Sequence, residues 1–141
     1  MKLNNLIKRI KDISPNIKFC NKFNDNNEKI GPWVYYYFDN KPFKKGFYHN
    51  NKIIGYWEFF WPNGKTLKKG SYYEQKMHGP WVFYYENGNL NESGHYKNGI
   101  KHGYWLYYNY DGDFIRAIKF YNGRIVDSYD NSFRKKYNVF Y

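Results

Sequence analysis

The chain has 141 residues, a formal net charge of +11 and aromatic side chains at 25% of its positions. This length suits one domain, and the composition excludes a mainly aliphatic core, so that any core consists largely of Trp, Tyr and Phe. The charge suits an anionic partner such as nucleic acid, a phospholipid surface or an acidic protein, or it reflects the Lys- and Asn-rich composition of an AT-biased genome.

The sequence lacks a possible internal disulfide, a signal peptide and a transmembrane helix. A single cysteine, Cys20, cannot form an internal disulfide, which fits a reducing environment. The N-terminal residues lack the apolar stretch of a signal peptide, and no window is apolar enough for a transmembrane helix. We therefore expect an intracellular protein, cytoplasmic or inside a virion, that is not secreted and has no transmembrane segment.

The first segment, residues 2–12, predicts a short amphipathic helix. Apolar residues recur at helical spacing, and basic residues lie on or beside the other face: Leu3, Leu6, Ile7 and Ile10, against Lys2, Lys8, Arg9 and Lys11. We interpret residues 1–22 as a cap that covers the first sheet edge. The alternative is a basic helix on a membrane surface, which the lack of Trp or Phe makes less favoured.

A 24-residue repeat follows, marked by Gly31, Gly55, Gly79 and Gly103. Each of these glycines is followed at fixed distances by a tryptophan, two aromatic rings and a turn residue, and the first three units also have an internal glycine: Trp33, Trp57, Trp81 and Trp105; Gly46, Gly70 and Gly94. The frame predicts four units, 31–54, 55–78, 79–102 and 103–126, in a repeat region that begins with a partial unit at 23–30. Residues 127–141 form a C-terminal cap or tail.

Each unit has the sequence pattern of a β-hairpin. In the third unit, residues 81–85 are an aromatic run typical of a strand, and Asn87-Gly88 suits a type I′ turn. A second strand and a second turn, at Asn98-Gly99, complete the unit. Four stacked hairpins predict a mainly β protein with about eight antiparallel strands in one elongated layer and no helix in this region.

Alternation along a strand divides the rings between two faces. Trp33, Tyr35 and Tyr37 share one face, and Val34, Tyr36 and Phe38 share the other. The internal glycines are expected to leave space for a neighbouring ring to lie over the backbone.

The pattern "GPWVFYYENGNLNESGHYKNG" and its copies resembles the MORN repeat family, most closely the variant repeats of bacterial antitoxin-like proteins, which also occur in large DNA viruses and protists. The resemblance covers Gly31 to about Val126. It implies a twisted, curved, single-layer antiparallel sheet without enzymatic activity, used as a protein–protein adaptor or a membrane-binding module. The first and last units depart from the pattern at the segments "DNKP" and "IRAIKF", as terminal repeats that cap a stack often do.

The sequence predicts no catalytic, cofactor or metal site. His78 and His102 occupy equivalent positions about 9–10 Å apart, too far for one metal ion, and His49 and His95 fall elsewhere in the repeat. Acidic residues do not recur in register, and no glycine-rich phosphate loop appears. We therefore expect no enzyme and no cofactor.

The expected function is a non-catalytic scaffold for another protein, as an adaptor, antitoxin-like or structural component of a virion, with self-association through sheet edges as a further option. The candidate interaction face consists of Tyr36, Phe60, Tyr84 and Tyr108. The alternative is an anionic-surface binder, for phospholipid or nucleic acid, with a candidate anion patch at Lys8, Arg9, Lys11, Lys44, Lys45, Lys68 and Lys69.

Overall fold

The computed structural model describes residues 21–130, which form an open antiparallel sheet. Its strands are β1 (Lys22–Phe23), β2 (Lys29–Tyr36), β3 (Pro42–His49), β4 (Lys52–Phe60), β5 (Thr66–Tyr73), β6 (Lys76–Tyr84), β7 (Leu90–Lys97), β8 (Ile100–Tyr108), β9 (Phe114–Tyr121) and β10 (Arg124–Asp130). Strand order equals chain order, so each strand hydrogen-bonds only with its sequence neighbours. The predicted mainly β, antiparallel architecture is confirmed.

The ends of the sheet extend beyond the four predicted hairpins. Ten strands are present instead of about eight, because β1 and β10 extend the four hairpins at either side. The predicted helix at residues 2–12 and the tail beyond residue 130 lie outside the described residues. Between residues 21 and 130 there is no helix, and hence none with the length and apolar character needed to cross a membrane.

Two kinds of turn alternate along the chain. In the long loop of the third unit, Gly88 N–H donates to the carbonyl of Tyr85 at 2.9 Å, and only Gly88 has a positive φ, of 95°. The prediction of a type I′ turn at Asn87-Gly88 is therefore wrong, because that turn needs positive φ at both central residues. The short turn at Asn98-Gly99 meets this requirement, with φ values of 52° and 83°.

The long loops of successive units are joined by side chains that donate to the next unit's backbone. Tyr37, Trp61 and Tyr85 occupy equivalent positions, and each donates a hydrogen bond to a carbonyl one unit later, at 2.7, 3.2 and 2.9 Å. Asn63 and Asn87 do the same with their amides, each at 2.8 Å or less. These bonds hold consecutive hairpins in register along one border of the sheet.

The pairing between consecutive hairpins, β3–β4, β5–β6 and β7–β8, is interrupted near each repeat glycine. Between β3 and β4, Lys45 pairs with Glu58 and Phe47 with Ile54, which leaves three residues of β4 facing Gly46 alone. Gly55 takes the positive φ, of 62°, that this irregularity needs. The chain is thereby bent so that the indole of Trp57 lies over Gly46.

This contact between glycine and tryptophan forms the core of the sheet. A β-carbon built on Gly70 would lie 2.3 Å from the indole of Trp81, so only glycine fits, and Gly46 and Gly94 make the same contact with the tryptophan of the following unit. The expected packing of a ring on the backbone is confirmed. Three tryptophans are fully buried: Trp57, Trp81 and Trp105.

Tyrosines fill the space between the buried indoles. Tyr72 contacts Trp81 edge-on at 5.2 Å between centroids, and Tyr96 contacts Trp105 in the same way at 4.9 Å. At the far end, Ile118 replaces the internal glycine and is itself buried beside Trp105. The row of rings ends there because a side chain now occupies the place where the next indole would lie.

Candidate functional site

The irregular pairing at the repeat glycines and the alternation of side chains give the sheet two different faces. The tryptophan face carries the indoles and the rings that pack with them: Trp33, Trp57, Trp81, Trp105, Tyr35, Phe59, Phe83, Tyr107, Tyr48, Tyr72 and Tyr96. The tyrosine face carries the intervening side chains, including Tyr36, Tyr56, Phe60, Tyr84, Tyr104 and Tyr108. The first face holds the fully buried indoles, whereas the second buries Val34 and Ile54 and leaves its tyrosines accessible to solvent or a partner.

The predicted interaction residues all lie on the tyrosine face. Tyr36 is 54% exposed, and Phe60, Tyr84 and Tyr108 are half-buried. They line the border near the long loops, each one strand pair from the next. The sequence therefore placed these four rings on one surface, but it did not indicate that the first of them is the most open.

Two further exposed tyrosines broaden this surface. Tyr56 and Tyr104 occupy the same repeat position and are 45% and 50% exposed. Partial burial, followed by the nearby charge of Glu58, raises the pKa of Tyr56 to about 12. The Tyr56 phenol is therefore a neutral hydrogen-bonding group at physiological pH when a partner approaches.

The predicted anion patch is divided between the faces. Lys45 and Lys69 lie on the tyrosine face, on either side of Glu58, and the Lys45 ammonium pairs with that carboxylate at 3.1 Å. Lys44 and Lys68 lie on the tryptophan face. Adjacent residues of a strand point to opposite sides, so these lysines do not form one surface. Lys8, Arg9 and Lys11 lie outside the described residues.

The lysines of the tryptophan face rest on aromatic rings. The Lys44 ammonium lies 4.3 Å from the ring centroid of Tyr35, and that of Lys68 lies 4.7 Å from Phe59. Burial lowers the pKa of Lys68. Lysines also lie over rings of the tyrosine face, with Lys45 at 5.0 Å from Phe60 and Lys69 at 5.5 Å from Tyr84, so these contacts do not distinguish the two faces.

Two segments of the chain match a known family. Residues 54–74 and 77–98 each fit the description "MORN repeat variant". These two segments are MORN repeats. The resemblance to this repeat is confirmed for them, and they coincide with the hairpins of β4–β5 and β6–β7. No curated protein matches the sequence significantly.

One pair of facing histidines in the sheet was not predicted from the sequence. His95 and His102 face each other directly on β7 and β8. They are equidistant from the short turn at Asn98-Gly99, a spacing that identifies cross-strand partners in a two-residue hairpin and could have revealed them. The Nδ1 atom of His102 is buried and makes no hydrogen bond within the described part of the chain.

The histidines of the described residues do not form a metal site. Within residues 21–130, no group of three or more His, Cys, Asp or Glu side chains is placed to hold a metal ion. His78 faces Ser71 instead, and its Nδ1 accepts a long hydrogen bond of 3.4 Å from the backbone N–H of Asn98. A shallow hollow of about 140 Å³ beside His102 is bordered by Lys97, whose charge disfavours a cation.

Proposed function

We propose that this MORN-repeat chain is a non-catalytic scaffold that binds a partner protein against its tyrosine face. MORN repeats in a sheet of β-hairpins fit a repeat scaffold, a type of protein commonly involved in binding. The family is generally non-catalytic. Adaptor, antitoxin-like and structural roles would all use such a surface.

The difference in burial between the two sets of rings carries the proposal. Trp57, Trp81 and Trp105 are fully buried on one face, whereas Tyr36 and Tyr104 are about half exposed on the other. Tyrosine is enriched among residues that contribute most to protein–protein binding, because its ring is buried by the partner while its hydroxyl keeps a hydrogen bond. Phe38, fully exposed beside Tyr36, adds an apolar anchor at the corner of the sheet.

Site-specific photo-cross-linking tests the proposal. Tyr107 and Tyr108 are neighbours in β8 that lie on opposite faces, so a photoreactive phenylalanine at either position alters the chain in a matched way. The full chain is expressed in its native source and irradiated. We expect cross-links to a partner protein from position 108 and few from position 107, whereas equal yields or a preference for 107 would contradict the choice of face.

A triple substitution gives a second measure of the same surface. Replacing Tyr36, Tyr84 and Tyr108 by Ser should remove the cross-linked partner while circular dichroism shows that the sheet remains. Unchanged binding by the folded variant would rule out this face.

The alternative function, binding of an anionic surface, makes a different prediction. Attraction to DNA or acidic vesicles weakens steeply between about 50 and 200 mM salt. A partner complex that depends on buried tyrosine rings persists over this range. The separation of Lys44 from Lys45 by the sheet favours the protein partner, because it halves the charge available to a single flat surface.

A further inference from the structure

A row of alternating rings and charged side chains crosses the tryptophan face at right angles to the strands. Direct cross-strand pairs connect Tyr35 to Lys44, Lys44 to Phe59, and Phe59 to Lys68. The row continues through Phe83 to Glu92. Lys44 and Lys68 are thus held in line, two strand spacings or about 9.6 Å apart.

Neither of these two lysines has a counter-ion in the described part of the chain. The ion pairs between residues 21 and 130 involve Lys41, Lys45 and Lys101, and not Lys44 or Lys68. Both side chains are half-buried against aromatic rings. A partly desolvated ammonium without a carboxylate is an unfavourable arrangement for stability alone.

The third unit shows how the same position is neutralised internally. Glu92 stands where the first two units have Lys44 and Lys68, and it pairs with Lys101 at 2.8 Å. The residues equivalent to Lys101 in the earlier units are Ile53 and Met77, which carry no charge. The repeat can therefore build a closed ion pair at this place, and the first two units leave a cation open.

The rest of the sequence offers little to complete these sites. Residues 1–20 and 131–141 contain a single acidic side chain, Asp12, among many lysines and arginines. On the tyrosine face, by contrast, Glu58 lies between Lys45 and Lys69 and pairs with Lys45. The tryptophan face therefore has two cationic positions at which a carboxylate of another molecule would complete an ion pair.

We propose that Lys44 and Lys68 form a two-point docking site for an acidic, extended segment of a partner protein. Its two carboxylates would contact the two ammonium groups, and its chain would run across the strands over Phe59. Because an extended polyproline II chain has three residues per turn and rises about 3.1 Å per residue, acidic side chains three residues apart point the same way about 9.3 Å apart and match the spacing. The site lies on the face opposite the proposed tyrosine surface and does not depend on it.

Peptide binding to the full chain tests this site. The probe is a capped peptide with Glu at every third position, and the control peptide has Gln at the same positions. Binding is followed by calorimetry and by the fluorescence of Trp57 and Trp81, whose rings lie 6.0 and 5.9 Å from the ammonium groups of Lys44 and Lys68. We expect binding of the Glu peptide only.

Two matched double variants distinguish the effect of where a lysine lies from the effect of the net charge. Lys44→Gln with Lys68→Gln should weaken peptide binding by about tenfold or more, whereas Lys45→Gln with Lys69→Gln, which removes the same charge from the other face, should change it less than about twofold. Equal losses would show a general effect of charge and overturn the proposal. Lys44→Glu with Ile53→Lys, which copies the closed pair of the third unit, should also reduce binding.

Other occupants are distinguished in the same experiment. Phosphatidylserine vesicles and oligothymidine are titrated at the same salt concentration, and a stronger dependence on Lys44 and Lys68 for either than for the peptide would overturn the protein partner. Light scattering of the free chain reports self-association. A dimer that disappears in the Lys44→Gln, Lys68→Gln variant would mean that a second copy fills the site, which would also overturn the proposal.

Discussion

The two faces of this sheet are built from the same strands and nearly the same residue types, yet they have opposite environments. On the tryptophan face, Trp81 lies against the bare backbone of Gly70 and is fully buried. On the tyrosine face, Tyr36 and Tyr56 are about half exposed. The comparison shows that a single-layer sheet supplies its own core when glycine lets an indole rest directly on a neighbouring strand. The second face also buries Val34 and Ile54, but its tyrosines remain open to solvent or a partner.

The largest expected effect comes from removing a buried indole. Trp81→Ala should lower the free energy of unfolding by about 3–5 kcal/mol, because it leaves a cavity between Gly70 and Tyr72. Tyr84→Ala, on the same strand but the other face, should cost about 1 kcal/mol. Urea unfolding followed by circular dichroism measures both, and similar losses would contradict the assignment of the core to one face.

The next effect tests the glycine directly. Gly70→Ala should destabilise the chain by about 2 kcal/mol, since its β-carbon meets the Trp81 indole, while Ser71→Ala should cost less than about 0.5 kcal/mol. In a Trp81→Ala background the cost of Gly70→Ala should largely disappear. A double-mutant cycle in thermal unfolding gives this coupling, and additive losses would refute the contact.

A smaller effect is expected at the long loops. Asn87→Ala removes the 2.7 Å hydrogen bond to the Tyr110 carbonyl and the bond that the side chain accepts from Asn89, at a cost of about 1–2 kcal/mol. Asp111 is the equivalent residue of the last unit, and its side chain makes no hydrogen bond to another unit within residues 21–130, so Asp111→Ala should cost less than about 0.5 kcal/mol. Equal shifts in melting temperature would contradict the role of these bonds between units.

The smallest changes in stability are expected at two lysines of the tryptophan face. Lys101→Met should cost about 1 kcal/mol through loss of the Glu92 pair, whereas Lys68→Met should change stability by less than about 0.5 kcal/mol. A stabilising effect of Lys101→Met at neutral pH would argue against the closed ion pair.

The same two lysines should have opposite pH dependence. Burial lowers the pKa of Lys68, so the unfolded chain holds that proton more tightly, and stability rises between the folded pKa and the ordinary value of about 10.4. The pKa of Lys101 is raised: burial opposes this, but the hydrogen bonds to Glu92 and Tyr107 outweigh it. Its stabilisation is complete below about 10.4 and is lost as pH rises through the folded value. Unfolding of each Met variant against the parent between neutral and alkaline pH measures both signs.

Much of the fold was predictable because each repeat restates the same local pattern. The spacing of Gly70 and Trp81 recurs in register, so the sequence alone indicated a ring packed on a glycine. The alternation of faces also followed, and it separates Lys44 from Lys45 as firmly as it separates Tyr35 from Tyr36. Grouping the lysines as one patch overlooked that rule.

The turn types and the cross-strand pairs could not be predicted, because they depend on backbone angles and loop lengths that composition does not specify. Asn87-Gly88 and Asn98-Gly99 are the same dipeptide, yet only the second adopts positive φ at both residues. The difference lies in how many residues the flanking strands leave for the loop. The pairing of His95 with His102 follows from the second turn, and the unpaired state of Lys68 follows from Met77, a residue in another strand.

Hydroxyl-radical footprinting of the free full-length chain tests the central claim most directly, because it reports the solvent access of each ring. The structure predicts fast oxidation of Tyr36, Tyr56 and Tyr104 and strong protection of Trp57 and Trp81. Indoles react with hydroxyl radicals at least as readily as phenols, so protection would reflect burial alone. Tryptophan oxidation as fast as that of Tyr36 would contradict the assignment of the tryptophan face as the core and of the tyrosine face as the binding surface.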